Sequence, residues 1–185
     1  IELMIQTASL SLREQFFRAP TDIDYGSGGP PQYGIQWVEA GLDRLTRSLI
    51  SASAGALAPD SWCLRTRSHL ANPRGDLVFA VETRYWVNGA GSLTIQADIE
   101  VPTGLPTYPR LGWVLTLPPA FDRLTWYGRG PHENYPDRKF SARVGRYTSR
   151  VRDQYVPYLF PQENGGKTDV RWMSLRDEAG WGLRV

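Results

Sequence analysis

The chain has 185 residues, of which 41% are hydrophobic and 12% aromatic, with seven tryptophans. That is long enough for one domain with a sizeable core and too apolar for a disordered chain. Its 21 basic and 19 acidic residues leave a net charge of +2 without a Lys/Arg block, so no nucleic-acid partner is expected.

No run approaches the roughly 18 apolar residues of a transmembrane helix, so no membrane partner is expected either. The opening residues, IELMIQTASL, lack a basic n-region and a long apolar run and do not read as a signal peptide. They also lack an initiator Met, and the chain is expected to be a fragment. Cys63 is the sole cysteine, which fits a reducing compartment, and a cytoplasmic location is expected. With only His69 and His132 beside it, a His/Cys metal site is not expected.

In chain order, DYGSGGPPQYG (24–34) reads as a flexible loop, from its four Gly and two Pro. YGIQWVEAGL (33–42) spaces Trp37, Val38, Gly41 and Leu42 like one face of a short helix. In DRLTRSLISAS, which follows, periodicity does not separate helix from strand. SWCLRTRSHL (61–70) reads as a strand. DLVFAVETRYWV (76–87) puts Leu77, Phe79, Val81 and Tyr85 on one face and Val78, Ala80 and Trp86 on the other, as if covered on both sides for part of its length. LTIQADIEV (93–101) alternates strictly, with Leu93, Ile95, Ala97, Ile99 and Val101 on one face. The intervening NGAGS makes these two runs a hairpin. Further strands are expected at 110–117, 121–128, 142–149, 169–177 and 180–185. Short strands with Pro/Gly/Asn turns and no room for helical crossovers predict an all-β, antiparallel architecture with one short helix. Residues 1–185 are taken as a single domain.

Three constellations carry candidate chemistry. In RAPTDID (18–24), Asp22 and Asp24 suit a hard cation or a sugar hydroxyl, or, as the commoner outcome, local backbone amides. In WYGRGPHENYPDRK (126–139), Glu133 and Asp137 share a loop rather than flanking a substrate, as paired glycosidase carboxylates must. His132 is a potential base without an identified orienting partner. Arg138 is a candidate buried ion-pair member, and Gly128 and Gly130 are expected to turn the chain. In DQYVPYLFPQENGG (153–166), Tyr155, Tyr158 and Phe160 suit a sugar platform or a core plug, and core is the commoner fate of aromatics. There is no C-x-x-C, H-E-x-x-H, Walker A, G-x-G-x-x-G or G-x-S-x-G motif.

The three segments REQFFRAPTDIDYG, WYGRGPHENYPDRK and DQYVPYLFPQENGGKTDVRWMSL, in that order, closely resemble the C-terminal small-chain domain of bacterial β-galactosidases of glycoside hydrolase family 2. The resemblance spans nearly the whole chain. It implies an antiparallel β-supersandwich similar to galactose mutarotase, with a strand near residues 44–54. It implies that residues 1–185 are an incomplete segment of that domain, which continues through further strands and a sugar-stacking tryptophan. The parent activity would be hydrolysis of terminal β-D-galactosides such as lactose with retention. Its two catalytic glutamates, and its divalent and monovalent cations, belong to a separate barrel domain. Hence no catalytic residue, metal ligand or cofactor is expected here.

Carried over by motif, Asp22, Asp24 and Gly26 would begin a loop near the pocket mouth. Glu133, Asn134, Tyr135, Asp137 and Arg138, and then Pro161, Glu163, Asn164 and Gly165, would serve as scaffold and interface. Ile23 departs from the family pattern, which has Asn there. The implied partners are the remaining domains of the parent enzyme, a β-galactoside at the shared pocket, and further copies in a homo-oligomer. The alternative is a free-standing mutarotase-like epimerase, using His132 with Glu133 or Glu163, or a carbohydrate-binding module.

Overall fold

The structure is a computed structural model that describes residues 2–3, 11–26, 32–101, 103–104 and 107–185. Residues 27–31 of the glycine-rich loop and most of the opening residues lie outside the described residues. The architecture is all-β with one short α-helix, and every strand pair whose register is described is antiparallel. The chain forms two compact units, Leu12–Val114 and the remainder.

The first unit is organised by a four-stranded meander. Its strands, following β1 (Glu2–Leu3) and β2 (Ser11–Gln15), are β3 (Thr46–Ala58), β4 (Ser61–Ala71), β5 (Leu77–Asn88) and β6 (Leu93–Glu100), paired in that order. Helix α1 (Tyr33–Glu39) and a 3₁₀ turn at Leu42–Arg44 precede β3, and β2 pairs with β7 (Gly112–Thr116).

Alternation decides the faces. Leu70 and Phe79, then Ser68, Val81 and Ile99, lie in cross-strand register on one side of the meander. The core gathers Phe16, Trp37, Leu42, Leu70, Val78, Phe79 and Val81. Phe16 stacks on Phe79 with centroids 4.1 Å apart. Each such burial contributes about 1.5–3 kcal/mol over leaving the side chain in water. Val78 and Phe79, on opposite faces of β5, are both fully buried, so this strand is covered on both sides over its first half. Toward the far end of the hairpins Trp62, Leu64 and Val87 are exposed, as is every residue of β3.

The helix is shorter than its sequence pattern. It stops at Glu39, and Val38 is exposed while Trp37 and Leu42 are buried. The apolar spacing therefore continues through a change of conformation at Gly41, which has φ of 75°. The ambiguous stretch after it is strand β3.

The second unit is built on a five-stranded sheet. Its later strands are β8 (Arg123–Gly130), β9 (Arg143–Arg150), β10 (Trp172–Arg176) and β11 (Gly182–Arg184), in the order β1-β11-β10-β8-β9. Trp126, Ala142 and Leu183 are buried here. Gly128 and Gly130 lie within β8 and do not turn the chain. A Cβ on Gly128 would come within 2.8 Å of the Val170 Cα, so glycine there serves close backbone approach.

Candidate functional site

The second and third motifs meet in the second unit. β8 delivers residues 131–139 at its end, and the segment 164–171 runs back beside it. Asn134 N–H donates to the Gly166 carbonyl (2.8 Å), Arg129 N–H to Thr168 (3.1 Å) and Arg171 N–H to Tyr127 (2.8 Å). Asn134 is fully buried. Its Oδ1 accepts from the Thr168 N–H (2.8 Å) and Oγ1 (2.6 Å), and its Nδ2 donates to the His132 carbonyl (3.1 Å). One amide side chain thus satisfies both strands of the junction, as burial of a polar group requires.

Glu133 is the hub. Its Oε1 accepts from Arg138 Nη2 (2.6 Å) and from the Tyr158 hydroxyl, and its Oε2 accepts from the Gly165 N–H (2.9 Å). The Tyr158 oxygen in turn accepts from Arg138 Nη2 at 2.9 Å. Burial alone would raise the pKa of Glu133. The hydrogen bonds from Tyr158, Gly165 and Arg138 outweigh it and hold the carboxyl below its ordinary value. Arg138 is pushed up, first by Tyr158 and then by Glu133. Its partner is Glu133, not the adjacent Asp137, and it is half-exposed rather than buried, with its guanidinium carbon 4.8 Å from the centroid of the Tyr135 ring. Asp137 is exposed and takes no part.

Gly165 has φ of 75°, a conformation that favours glycine, and a Cβ there would lie 2.8 Å from the Gln154 carbonyl oxygen. Asn164 closes its own loop, with Oδ1 accepting from the Val156 N–H (3.2 Å) and Nδ2 donating to Gln162 (3.3 Å). Pro161 is exposed and Glu163 half-buried. The aromatics of this segment are not core. Tyr155 and Phe160 are 67% and 55% exposed, and Tyr158 is engaged through its hydroxyl. Polar ties to Glu133 and Asn164 hold the loop, so ring burial is not needed.

Lys167 places its amine over the Trp126 ring (5.4 Å), and burial lowers its pKa against the pull of Glu133. His132 Nε2 lies 3.0 Å from Ser141 Oγ.

The first motif belongs to the other unit. Asp22 begins a 3₁₀ turn (Ile23–Tyr25) and accepts from the Ile23 N–H (3.0 Å). Asp24 accepts a two-pronged contact from Arg18 (2.6 and 3.1 Å), plus the Thr21 N–H (2.7 Å) and hydroxyl (2.9 Å). Burial would raise its pKa, and Arg18 and Thr21 together bring it below the usual carboxylate value. Gly26 closes the turn, its N–H donating to the Ile23 carbonyl at 3.0 Å. Ile23 is exposed. Among the described residues no group of three His, Cys, Asp or Glu is placed to hold a metal ion.

The family model for the Beta galactosidase small chain matches residues 2–185. The chain belongs to the β-galactosidase small-chain family. It is 43% identical over 173 residues to a β-galactosidase of Priestia megaterium, covering 94% of this chain and 16% of that protein. It is 38% identical over 192 residues to one from Arthrobacter sp. (strain B7), covering 94% and 18%, and 35% identical over 169 residues to one from Vibrio cholerae, covering 89% and 16%. The chain therefore spans less than a fifth of the length of these relatives.

Several small-chain residues that complete the junction were not evident from the sequence. Thr168, Gly166 and Lys167 lie 30 or more positions from their partners at Asn134 and Trp126 and carry no local signal. Arg18 and Thr21 stood inside the quoted RAPTDID, and a turn with one central carboxylate was the available hint.

Proposed function

We propose that this chain is a non-catalytic segment of a β-galactosidase that packs on the catalytic barrel and helps to shape the mouth of its pocket. The parent enzyme hydrolyses terminal β-D-galactosides such as lactose with retention. Its nucleophile, its acid/base group and its divalent and monovalent cations lie in the barrel. It is a cytoplasmic homo-oligomer.

One observation carries the reading beyond family membership. The two best-placed carboxylates of the signature motifs, Asp24 and Glu133, are each saturated by local donors and held at low pKa. A glycosidase acid needs a raised pKa and a second carboxyl across the scissile bond. The donor sets of Asp24 and Glu133 favour fastening loops instead. The epimerase alternative requires His132 and a glutamate to face an open sugar, whereas His132 meets Ser141 and Glu133 is committed to Arg138, Tyr158 and Gly165.

The reading is tested in the full-length enzyme by Asp24→Asn. Loosening the loop that starts at Asp22 raises KM for a galactoside by about 3–30-fold while kcat changes less, because ground-state and transition-state binding are lost together. A kcat collapse of about 10⁴-fold or more with unchanged KM would instead make Asp24 a catalytic group.

A further inference from the structure

Strand β3 is a free edge of the four-stranded sheet, with β4 as its one partner strand among the described residues. Its whole length is exposed. Between register shifts at Ile50 and Leu57, residues 51–56 pair with residues 62–67 of β4 in unbroken register. Residues 48–58 include no charged residue and no proline. Sheet edges in soluble proteins are usually blunted by Lys, Pro or inward-pointing charge, or else covered. The two bulges are the only such device on β3, and each adds an exposed apolar residue, Ile50 or Leu57. The run SASAGA (51–56) is also made of poor strand formers, so pairing rather than propensity must hold it extended.

Register gives the two faces of the sheet different characters. Ala56, Trp62 and Val87 form one row and Ala54, Leu64 and Tyr85 the next, on the same side as the buried Leu70 and Phe79. Trp62, Leu64 and Val87 are exposed there. The other side is polar. Ser53, Arg65 and Arg84 form a row on it, and Arg84 is tied to Glu82 (2.6 Å) and Asp98 (2.9 Å). The apolar side therefore runs on, uncovered, to the free edge.

We propose that residues 51–56 of β3 pair along their free edge with a β-strand that the same polypeptide supplies from outside residues 1–185. The proposal rests on the reading of the chain as part of a larger β-galactosidase. Edge chemistry selects a strand. Every second residue of an edge strand turns its N–H and C=O outward, and another extended backbone meets the whole row. The faces select its pattern, with apolar side chains on the side of Trp62 and Leu64 and polar ones on the side of Arg65 and Arg84. Covalent linkage selects its source. An uncharged edge is a template for indiscriminate pairing, and a segment of the same chain meets it at a high effective concentration. Pairing with β3 of a second copy about a two-fold axis would instead set two uncovered apolar faces side by side in water. The relatives, of which this chain spans 16–18%, have the length to supply the strand.

The test is hydrogen exchange of the active full-length enzyme, resolved to single amides by mass spectrometry. Every amide of residues 51–56 is expected to exchange at least about 100-fold more slowly than in the unfolded chain. Alternate amides exchanging at unfolded-chain rates would show an open edge and overturn the proposal. The source of the strand is read with the photocrosslinker p-benzoylphenylalanine in place of Ser53. The expected product has the mass of one chain and joins position 53 to a peptide outside residues 1–185. A cross-link to residues 4–10, or a product joining two copies, overturns the proposal, as do slow amides with no cross-link outside residues 1–185. Galactoside hydrolysis measured on the same sample separates the two levels: an active enzyme with an open edge removes only the pairing, and a full-length protein without that activity removes the underlying reading.

Discussion

Glu133→Gln is the most informative single substitution. The side chain of Glu133 is 9% exposed, and it accepts from Arg138 and Tyr158 on one oxygen and from the Gly165 N–H on the other. An amide keeps only one acceptor. If its oxygen faces Gly165, its NH₂ meets the Arg138 guanidinium, donor against donor. In the other orientation the NH₂ meets the Gly165 N–H. Either way one charge-assisted bond becomes an unsatisfied contact, costing about 1–3 kcal/mol. Arg138 is 55% exposed, so water screens the lost ion pair, which adds at most about 1 kcal/mol. The sum, roughly 1–4 kcal/mol, lowers Tm by about 2–16 °C in a chain of this size. Asp137→Asn, on the same loop but exposed and unengaged, is the control and stays within about 0.5 kcal/mol.

The pH dependence has a definite sign. The folded-state pKa of Glu133 is depressed, so its contribution is fully present above its unfolded value of about 4.3 and is lost as pH falls from there through the folded value. Urea melts followed by tryptophan fluorescence should show wild type and Glu133→Gln converging below about pH 4 and separated at pH 7. Equal midpoints for Glu133→Gln and Asp137→Asn at pH 7 would refute the hub assignment.

Two further substitutions probe the same junction. Asn134→Ala leaves the Thr168 N–H and the His132 carbonyl without their partner in a fully buried place and is expected to cost about 2–4 kcal/mol in the same melts; a loss below about 0.5 kcal/mol would mean that water replaces the amide. Gly165→Ala forces a Cβ against the Gln154 carbonyl at positive φ and is expected to cost about 1–3 kcal/mol, with faster hydrogen exchange at the 165 amide; unchanged exchange would show that the loop re-forms elsewhere.

Strands were legible where exposure alternates along them, as in β6, whose apolar positions are half-buried and polar ones exposed, or where a run is apolar on both faces, as in β5; β3, exposed throughout, was not. β5 and β6 are the clearest cases, including the double coverage of β5 around Val78 and Phe79. β2 was not legible. Its Glu14 points inward, with a side chain only 3% exposed, and binds Arg47 (2.6 and 3.0 Å) and Thr83 (3.2 Å). A buried carboxylate satisfied by partners more than thirty positions away erases the apolar alternation that marks a strand. Val38 misled for a related reason: helical spacing was counted across Gly41, where the helix has already ended.

At the candidate site, residue types were legible and pairings were not. Glu133 and Arg138 stand five apart and could be matched by eye, but Tyr158, Gly165 and Thr168 reach them only because 164–171 runs beside β8. Aromatic rings at 155–160 looked like core because core is the usual fate of such rings, and the loop's polar fastening, which makes that unnecessary, is a tertiary fact.

The most direct test of the central claim is a chromogenic β-galactoside assay on purified residues 1–185, produced in a host without its own β-galactosidase. The account predicts a rate equal to buffer, and activity only when the chain is part of the full-length enzyme. Turnover that co-purifies with residues 1–185 and is abolished by Glu133→Gln or Asp24→Asn would contradict it.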